Sequence, residues 1–168
     1  AETLEAHVEK MAKLPFVDVL YVRCDWRDVQ KQPGRLDLSP IWALTLDAAK
    51  RHGLRVAFRV QLSNPEFQPK QLAMPEFVSS KVPFVPIGRG YREPRYDHPE
   101  FQRAFRELTG LLAAEFDGNE LIEFVDLMQY GFWGEGHTGD LPSSFPDYVT
   151  EDKTSLAMSE LQEESFER

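Results

Sequence analysis

The 168-residue chain carries 19 basic and 28 acidic side chains, a formal net charge of -9, a field that repels nucleic acid and anionic membrane instead of binding them. Hydrophobic residues make up 42% of it, which excludes a disordered polymer and is enough for one domain with a core. The single cysteine, Cys24, lies in an apolar run and reads as an inert core thiol, and no internal disulfide can form.

Along the chain, Leu4, Val8, Met11 and Leu14 recur at helical spacing until Pro15 stops the pattern. Residues 17–23 then read as a buried strand of β-branched, aromatic and aliphatic residues. Ser39 and Pro40 are the N-cap and first residue of a second helix that runs to His52, with Gly53 as its C-terminal cap. Trp42 on that helix reads as core, and His7 and His52 as surface residues. Residues 54–61 form a second strand, and this one alternates: Leu54, Val56, Phe58 and Val60 share one face, and Arg55, Ala57, Arg59 and Gln61 the other. Arg59 and Gln61 then point away from the helices, where buried polar groups need partners.

The stretch 62–96 is a long connection with six prolines and no periodicity, rich in Phe and Tyr, and reads as an ordered loop that covers a site. Within it Arg89, Arg92 and Arg95 make either an anion clamp or, with Glu93 and Asp97, internal ion pairs that order the loop. Asp97 is the expected N-cap of a third helix, whose buried stripe is Phe101, Phe105, Leu108, Leu111 and Leu112 and which ends at Asp117-Gly118. A third strand covers 122–128, a Gly- and Trp-rich loop runs from Gln129 to Pro146, and Thr150 to Arg168 is helix-prone and polar. Strands alternating with amphipathic helices predict a parallel α/β sheet in a single domain, 1–168, with the strands adjacent in chain order. No Gly-rich nucleotide loop follows any strand, and no apolar stretch reaches the ~18 residues of a membrane span.

In such folds chemistry gathers on the loops after the strands. The first carries Arg23, Asp25, Trp26 and Arg27; the second Arg59, Gln61, Asn64 and Glu66; the third Asp126, Tyr130, Trp133, Glu135 and His137. Aromatic rings beside carboxylates, amides and Arg suit the apolar faces and hydroxyls of a sugar. In Gly-Phe-Trp-Gly-Glu-Gly-His, Glu135 flanked by Trp133 in a partly dry pocket would favour its protonated form, as a general acid requires. The same spacing also fits a tight loop whose Glu is only solvated. Glu135 and His137 with Asp126 or His98 could alternatively hold a metal, although no His-x-x-x-His or Cys-x-x-Cys pair accompanies them.

The segment Arg23-Cys24-Asp25-Trp26-Arg27, continuing to Pro33-Gly34-Arg35-Leu36-Asp37-Leu38, resembles the region after the second strand of glycoside hydrolase family 42 and other clan A barrels, with Gln30-Lys31 where those proteins carry Glu-Pro. Pro94 to Phe101, Phe116-Asp117-Gly118-Asn119, Phe124-Val125-Asp126 and Tyr130 to Thr138 are similar to bacterial beta-galactosidase-like barrel proteins, and Trp-Gly-Glu-x-His is the most distinctive piece. The resemblance spans residues 3 to 140. It implies a partial (β/α)8 TIM barrel, from the first helix to the fourth strand and the helix after it, because a complete barrel takes roughly 250 residues. It places Glu135 after the fourth strand as the catalytic acid/base, with Gly134 where the clan has Asn, and the nucleophile Glu after a seventh strand. Substrate binding then falls to Arg23, Asp25, Trp26, Arg59, Gln61, Asp126, Tyr130, Trp133 and His137.

The implied activity is retaining hydrolysis of O-glycosidic bonds, needing a carbohydrate substrate and no cofactor or metal, with no nucleic-acid or membrane partner and with this stretch alone inactive. Three strands cannot close a barrel, so an open sheet edge is expected, completed by the remainder of the barrel or another chain. Export follows from the resemblance only. Other readings are a non-catalytic carbohydrate-binding barrel and a metal-dependent hydrolase built on Glu135, His137 and Asp126.

Overall fold

The computed structural model describes residues 1–139 and 151–166. The chain is mixed α/β with a parallel sheet of three strands. Helix α1 (Leu4–Ala12) starts where the Thr3 hydroxyl accepts the Ala6 N–H at 3.1 Å, and it turns Val8 and Ala12 inward. Leu4 and Met11 are exposed, unlike the rest of the expected stripe. Strand β1 (Val19–Asp25) begins and ends two residues later than expected and leads directly into the short helix α2 (Trp26–Val29). Helix α3 (Pro40–His52) has Ser39 at its N-cap, but the Ser39 hydroxyl turns to the Cys24 thiol at 3.1 Å. Gly53 closes the helix with a left-handed φ of 68°, and β2 (Arg55–Gln61) follows.

The connection expected to be an irregular loop contains structure of its own. After α4 (Glu76–Ser79), strands β3 (Phe84–Gly88) and β4 (Tyr91–Pro94) form an antiparallel hairpin. Its tip, Arg89-Gly90, has positive φ at both residues, 51° and 81°. That turn geometry usually announces itself as Asn-Gly or Asp-Gly, and an Arg in the first position hides it. Helix α5 (Pro99–Phe116) is capped by His98 and not by Asp97: the His98 Nδ1 accepts the Glu100 N–H at 3.3 Å, while Asp97 is held by the Arg95 guanidinium at 2.6 Å. Strand β5 (Ile122–Val125) is shorter than the expected 122–128 because Asp126 turns its own carboxylate to the next N–H, that of Leu127, at 2.9 Å. Helix α6 (Glu151–Phe166) packs on α5, and its Gln162 clamps the chain after β5, accepting from Met128 N at 2.9 Å and donating to the Asp126 carbonyl at 3.2 Å. The expected loop residues 140–146 lie outside the described residues, as do Thr150 and 167–168.

The sheet order is β1-β2-β5, all parallel, with Leu20 beside Val56 and Val22 beside Phe58. Side chains alternate across a strand, so Leu20, Val22, Cys24, Val56, Phe58, Val60 and Ile122 share one face. They form a single core with α1, α3 and α5. At its centre Phe58 lies 4.6 Å from Trp42 and 5.0 Å from Phe116, centroid to centroid, and the Trp42 and Phe116 rings stack at 5.5 Å. The opposite face has no helix over it in the described residues. It carries Tyr21 and Phe124, 44% and 50% exposed, and above them Arg23, Arg59 and Asp126. The outer edges of β1 and β5 have no strand partner among the described residues.

Phe58→Ala should remove about 3–5 kcal/mol of stability, because the ring fills a space between two other rings that cannot collapse into it. Chemical denaturation reads this directly, and a loss below 1 kcal/mol would mean that the core is centred elsewhere.

Candidate active site

Helix coverage of one sheet face leaves alternate residues of each strand free for the other. Tyr21, Arg23 and Asp25 are one such set, and Ala57, Arg59 and Gln61, paired with them in register, are the next. At the strands' C-terminal ends they meet the Glu135 loop. The Arg23 Nη1 donates to Glu135 Oε1 at 3.3 Å, and the Arg59 Nη1 lies 3.6 Å from the same oxygen. His137 Nε2 is 3.4 Å from Glu135 Oε2. Arg59 also donates from Nη2 to Asp126 Oδ2 at 2.7 Å, and the Tyr21 hydroxyl donates to that oxygen at 2.6 Å. Burial and the Asp126 hydrogen bond push the Tyr21 phenol up to about 12, so it remains a donor.

Five of the expected residues, Arg23, Arg59, Asp126, Glu135 and His137, therefore form one network. Asp25, Gln61 and Trp133 line the adjoining cleft of about 350 Å³ together with Arg23, Asn64 and Phe67. Asn64 Nδ2 donates to Asp25 Oδ1 at 3.0 Å, and Arg27 pairs with Asp25 at 2.7 Å. Burial raises the Asp25 carboxyl, opposed by these two partners. Cys24, one residue back and on the core face, is a thiol pushed up to about 11 by burial.

Two expected binding residues lie elsewhere. Trp26 is fully buried: it opens α2, which turns it under the strand, where Nε1 donates to Gln30 Oε1 at 2.7 Å and the ring meets Phe101 edge-on. Tyr130 is buried against the Tyr96 ring at 6.1 Å and forms the floor of the loop instead of its surface. The setting of Glu135 also differs from the dry, indole-flanked pocket expected. Its side chain is 40% exposed and faces two guanidinium groups and an imidazole. Tyr21 was the residue missed; it stands two positions before Arg23 on the same strand face, a parity visible once β1 is read with period two. Glu93 does not pair with the neighbouring arginines. It is fully buried between the Ser63 and Tyr96 hydroxyls, each 2.5 Å away, while Arg92 lies over the Phe84 ring at 5.0 Å.

The loop itself is closed at its neck. Phe132 N donates to the His137 carbonyl at 2.7 Å and Gly136 N to the Tyr130 carbonyl at 3.0 Å. Gly131 has φ 81°, and a Cβ there would run into the His137 carbonyl. Trp133 occupies the left-handed region at φ 55°, gripped from both sides: its N–H donates to the Ser63 carbonyl at 2.9 Å and its carbonyl accepts from Arg59 at 3.2 Å. At Gly134, φ is 73°, which strains any side chain, so the Asn implied there by the resemblance would be opposed by its own backbone, while its Cβ would lie in ordinary contact, 3.4 Å, with the Arg59 Cδ. Among the described residues, no group of three or more His, Cys, Asp or Glu side chains converges as a metal-ligand set. No protein-family model matches the chain, and no curated protein matches it.

Gly131→Ala should open the neck, because both the positive φ and the His137 carbonyl oppose a methyl group. The expected result is loss of protection of the Phe132 and Gly136 amides in hydrogen exchange with α5 unaffected. Glu93 yields a second prediction. Burial raises its carboxyl from 4.5 to about 7, so the folded state keeps a proton that the unfolded state releases. Stability from that site is complete below pH 4.5 and is lost as pH rises to 7. Relative to Glu93→Gln, the native protein should lose up to about 3 kcal/mol across that window, measured as denaturation midpoints at a series of pH values; parallel curves would refute the assignment.

Proposed function

We propose that this chain is a section of a (β/α)8 barrel and carries the general acid/base, Glu135, of a glycoside hydrolase. The observation that carries this is the convergence of Glu135, Arg23, Arg59 and Asp126 on the helix-free face, at the C-terminal ends of parallel strands, beside a cleft lined by Trp133 and Phe67. Among the described residues helices cover one face of the sheet only, which supports a barrel over a doubly wound sheet that buries both faces. Ligands of barrels meet that end of the strands. The substrate in this reading is a neutral oligo- or polysaccharide whose rings stack on the indole and phenyl groups and whose hydroxyls meet Asn64, Gln61 and Asp25.

In the retaining reaction, Glu135 protonates the glycosidic oxygen while a second carboxylate, about 5 Å away on a strand that completes the barrel, bonds to the anomeric carbon and the leaving sugar departs. Glu135 then takes a proton from the water that attacks the anomeric carbon and displaces that carboxylate. Arg59 and Arg23, the latter a wall of the cleft, hold the Glu135 carboxylate between them, and Arg59 is itself fixed by Asp126. The same two guanidinium groups favour a second reading: a carboxylate so paired can serve as a fixed acceptor for sugar hydroxyls in a binding barrel without turnover.

Glu135→Gln separates the two. In the full-length protein it should lower kcat toward a natural glycoside by about 10²–10⁴-fold with folding and sugar binding retained. The loss should shrink for aryl glycosides, whose leaving groups need little protonation. Sugar binding by the unaltered protein without any turnover would select the binding barrel, and full activity of the variant would end the acid/base assignment.

A further inference from the structure

The 62–96 connection and the Glu135 loop are far apart in sequence and meet at one buried acid. We propose that Glu93 is a positioning residue for the Glu135 loop, holding both of the groups that anchor that loop from below. For its effect on turnover the inference rests on the acid/base reading of Glu135; the anchoring itself does not.

The loop has two anchors outside itself on this side. One is the Ser63 carbonyl, which accepts the Trp133 N–H at 2.9 Å. The other is the Tyr96 hydroxyl, which accepts the Gly131 N–H at 2.9 Å. Glu93 binds the side chains of both: the Ser63 hydroxyl donates to Oε1 and the Tyr96 hydroxyl to Oε2, each at 2.5 Å. The direction of these bonds matters. A phenol has one proton, and when Glu93 accepts it, the lone pairs of the Tyr96 oxygen are left for Gly131. A donor in place of Oε2 would compete with Gly131 for those lone pairs. Gln68 ties the same cluster to the hairpin, with Nε2 3.4 Å from Ser63 Oγ and Oε1 accepting from Arg92 N at 2.8 Å.

Ser63, Gln68, Glu93 and Tyr96 are all buried. An acid inside a protein is costly unless hydrogen-bonded, and a structural filler at this position could be apolar. Two acceptor oxygens on one rigid plane are what the two anchors share. They fix residues 131 and 133, and the 131–134 backbone, left-handed at Trp133, carries Glu135 to Arg23 and Arg59.

The test uses the full-length protein at pH 8, where Glu93 is ionised. Amide exchange resolved across residues 129–139 is combined with kcat and KM for Glu93→Gln, Tyr96→Phe and Ser63→Ala. Loss of one hydrogen bond should speed exchange by about tenfold. Tyr96→Phe should do so at Gly131, and Glu93→Gln at Gly131 and Trp133 together, with α5 unchanged. Ser63→Ala removes one of the two hydroxyls and should raise exchange at Trp133 more than at Gly131. In all three, kcat should fall about tenfold while KM stays within about twofold. If Glu93→Gln does not fold, the other two variants keep the carboxyl and carry the test. Unchanged exchange at both amides in the folded variants overturns the proposal whatever the activity. Faster exchange with unchanged kcat upholds the anchoring and counts against Glu135 as the acid/base.

Discussion

One guanidinium group ties the central strand to the loop that carries Glu135. Arg59 stands next to Phe58 on the central strand, so a single step along β2 passes from the middle of the core to the middle of the site. It grips Asp126 after β5, the Trp133 carbonyl in the loop and, at 3.6 Å, the Glu135 carboxylate. A mostly buried Arg is tolerated only with such partners. Because several donors radiate from one rigid plane, a single side chain ties the chain after β5 and the Glu135 loop to the central strand.

This arrangement makes the site inseparable from the fold. Phe58 packs between Trp42 and Phe116, which holds β2 against two helices, and the register of β2 with β1 puts Arg23 beside Arg59. Two adjacent guanidinium groups repel each other, and the carboxylates of Glu135 and Asp126 offset that repulsion. The charges therefore stabilise as a set, and removing one leaves a like-charged neighbour exposed to the loss.

Much of this was legible in the sequence, and the failures have physical causes. Alternation in 54–61 put Arg59 and Gln61 on the far face, and Pro40 with Gly53 bounded α3, since both signals are local. The hairpin at 84–94 was not legible because its turn uses Arg89 where side chains rarely adopt positive φ. Trp26 and Tyr130 were misplaced because an aromatic residue near a strand end can turn either way, and only the packing of α2 and Tyr96 decides. Glu93 beside three arginines suggested ion pairs. Strand alternation instead sends it inward while its neighbour Arg92 remains outside, a distinction that needs the β4 register.

The Glu135 loop places glycine at 131, 134 and 136, each with positive φ, yet at 133, also positive, it places tryptophan. A side chain in that conformation costs on the order of 1 kcal/mol compared with glycine. Backbone economy would have favoured a fourth glycine there. The indole stands there against the preference of its own main chain, held by the Ser63 carbonyl and the Arg59 guanidinium, and gives the cleft an aromatic wall.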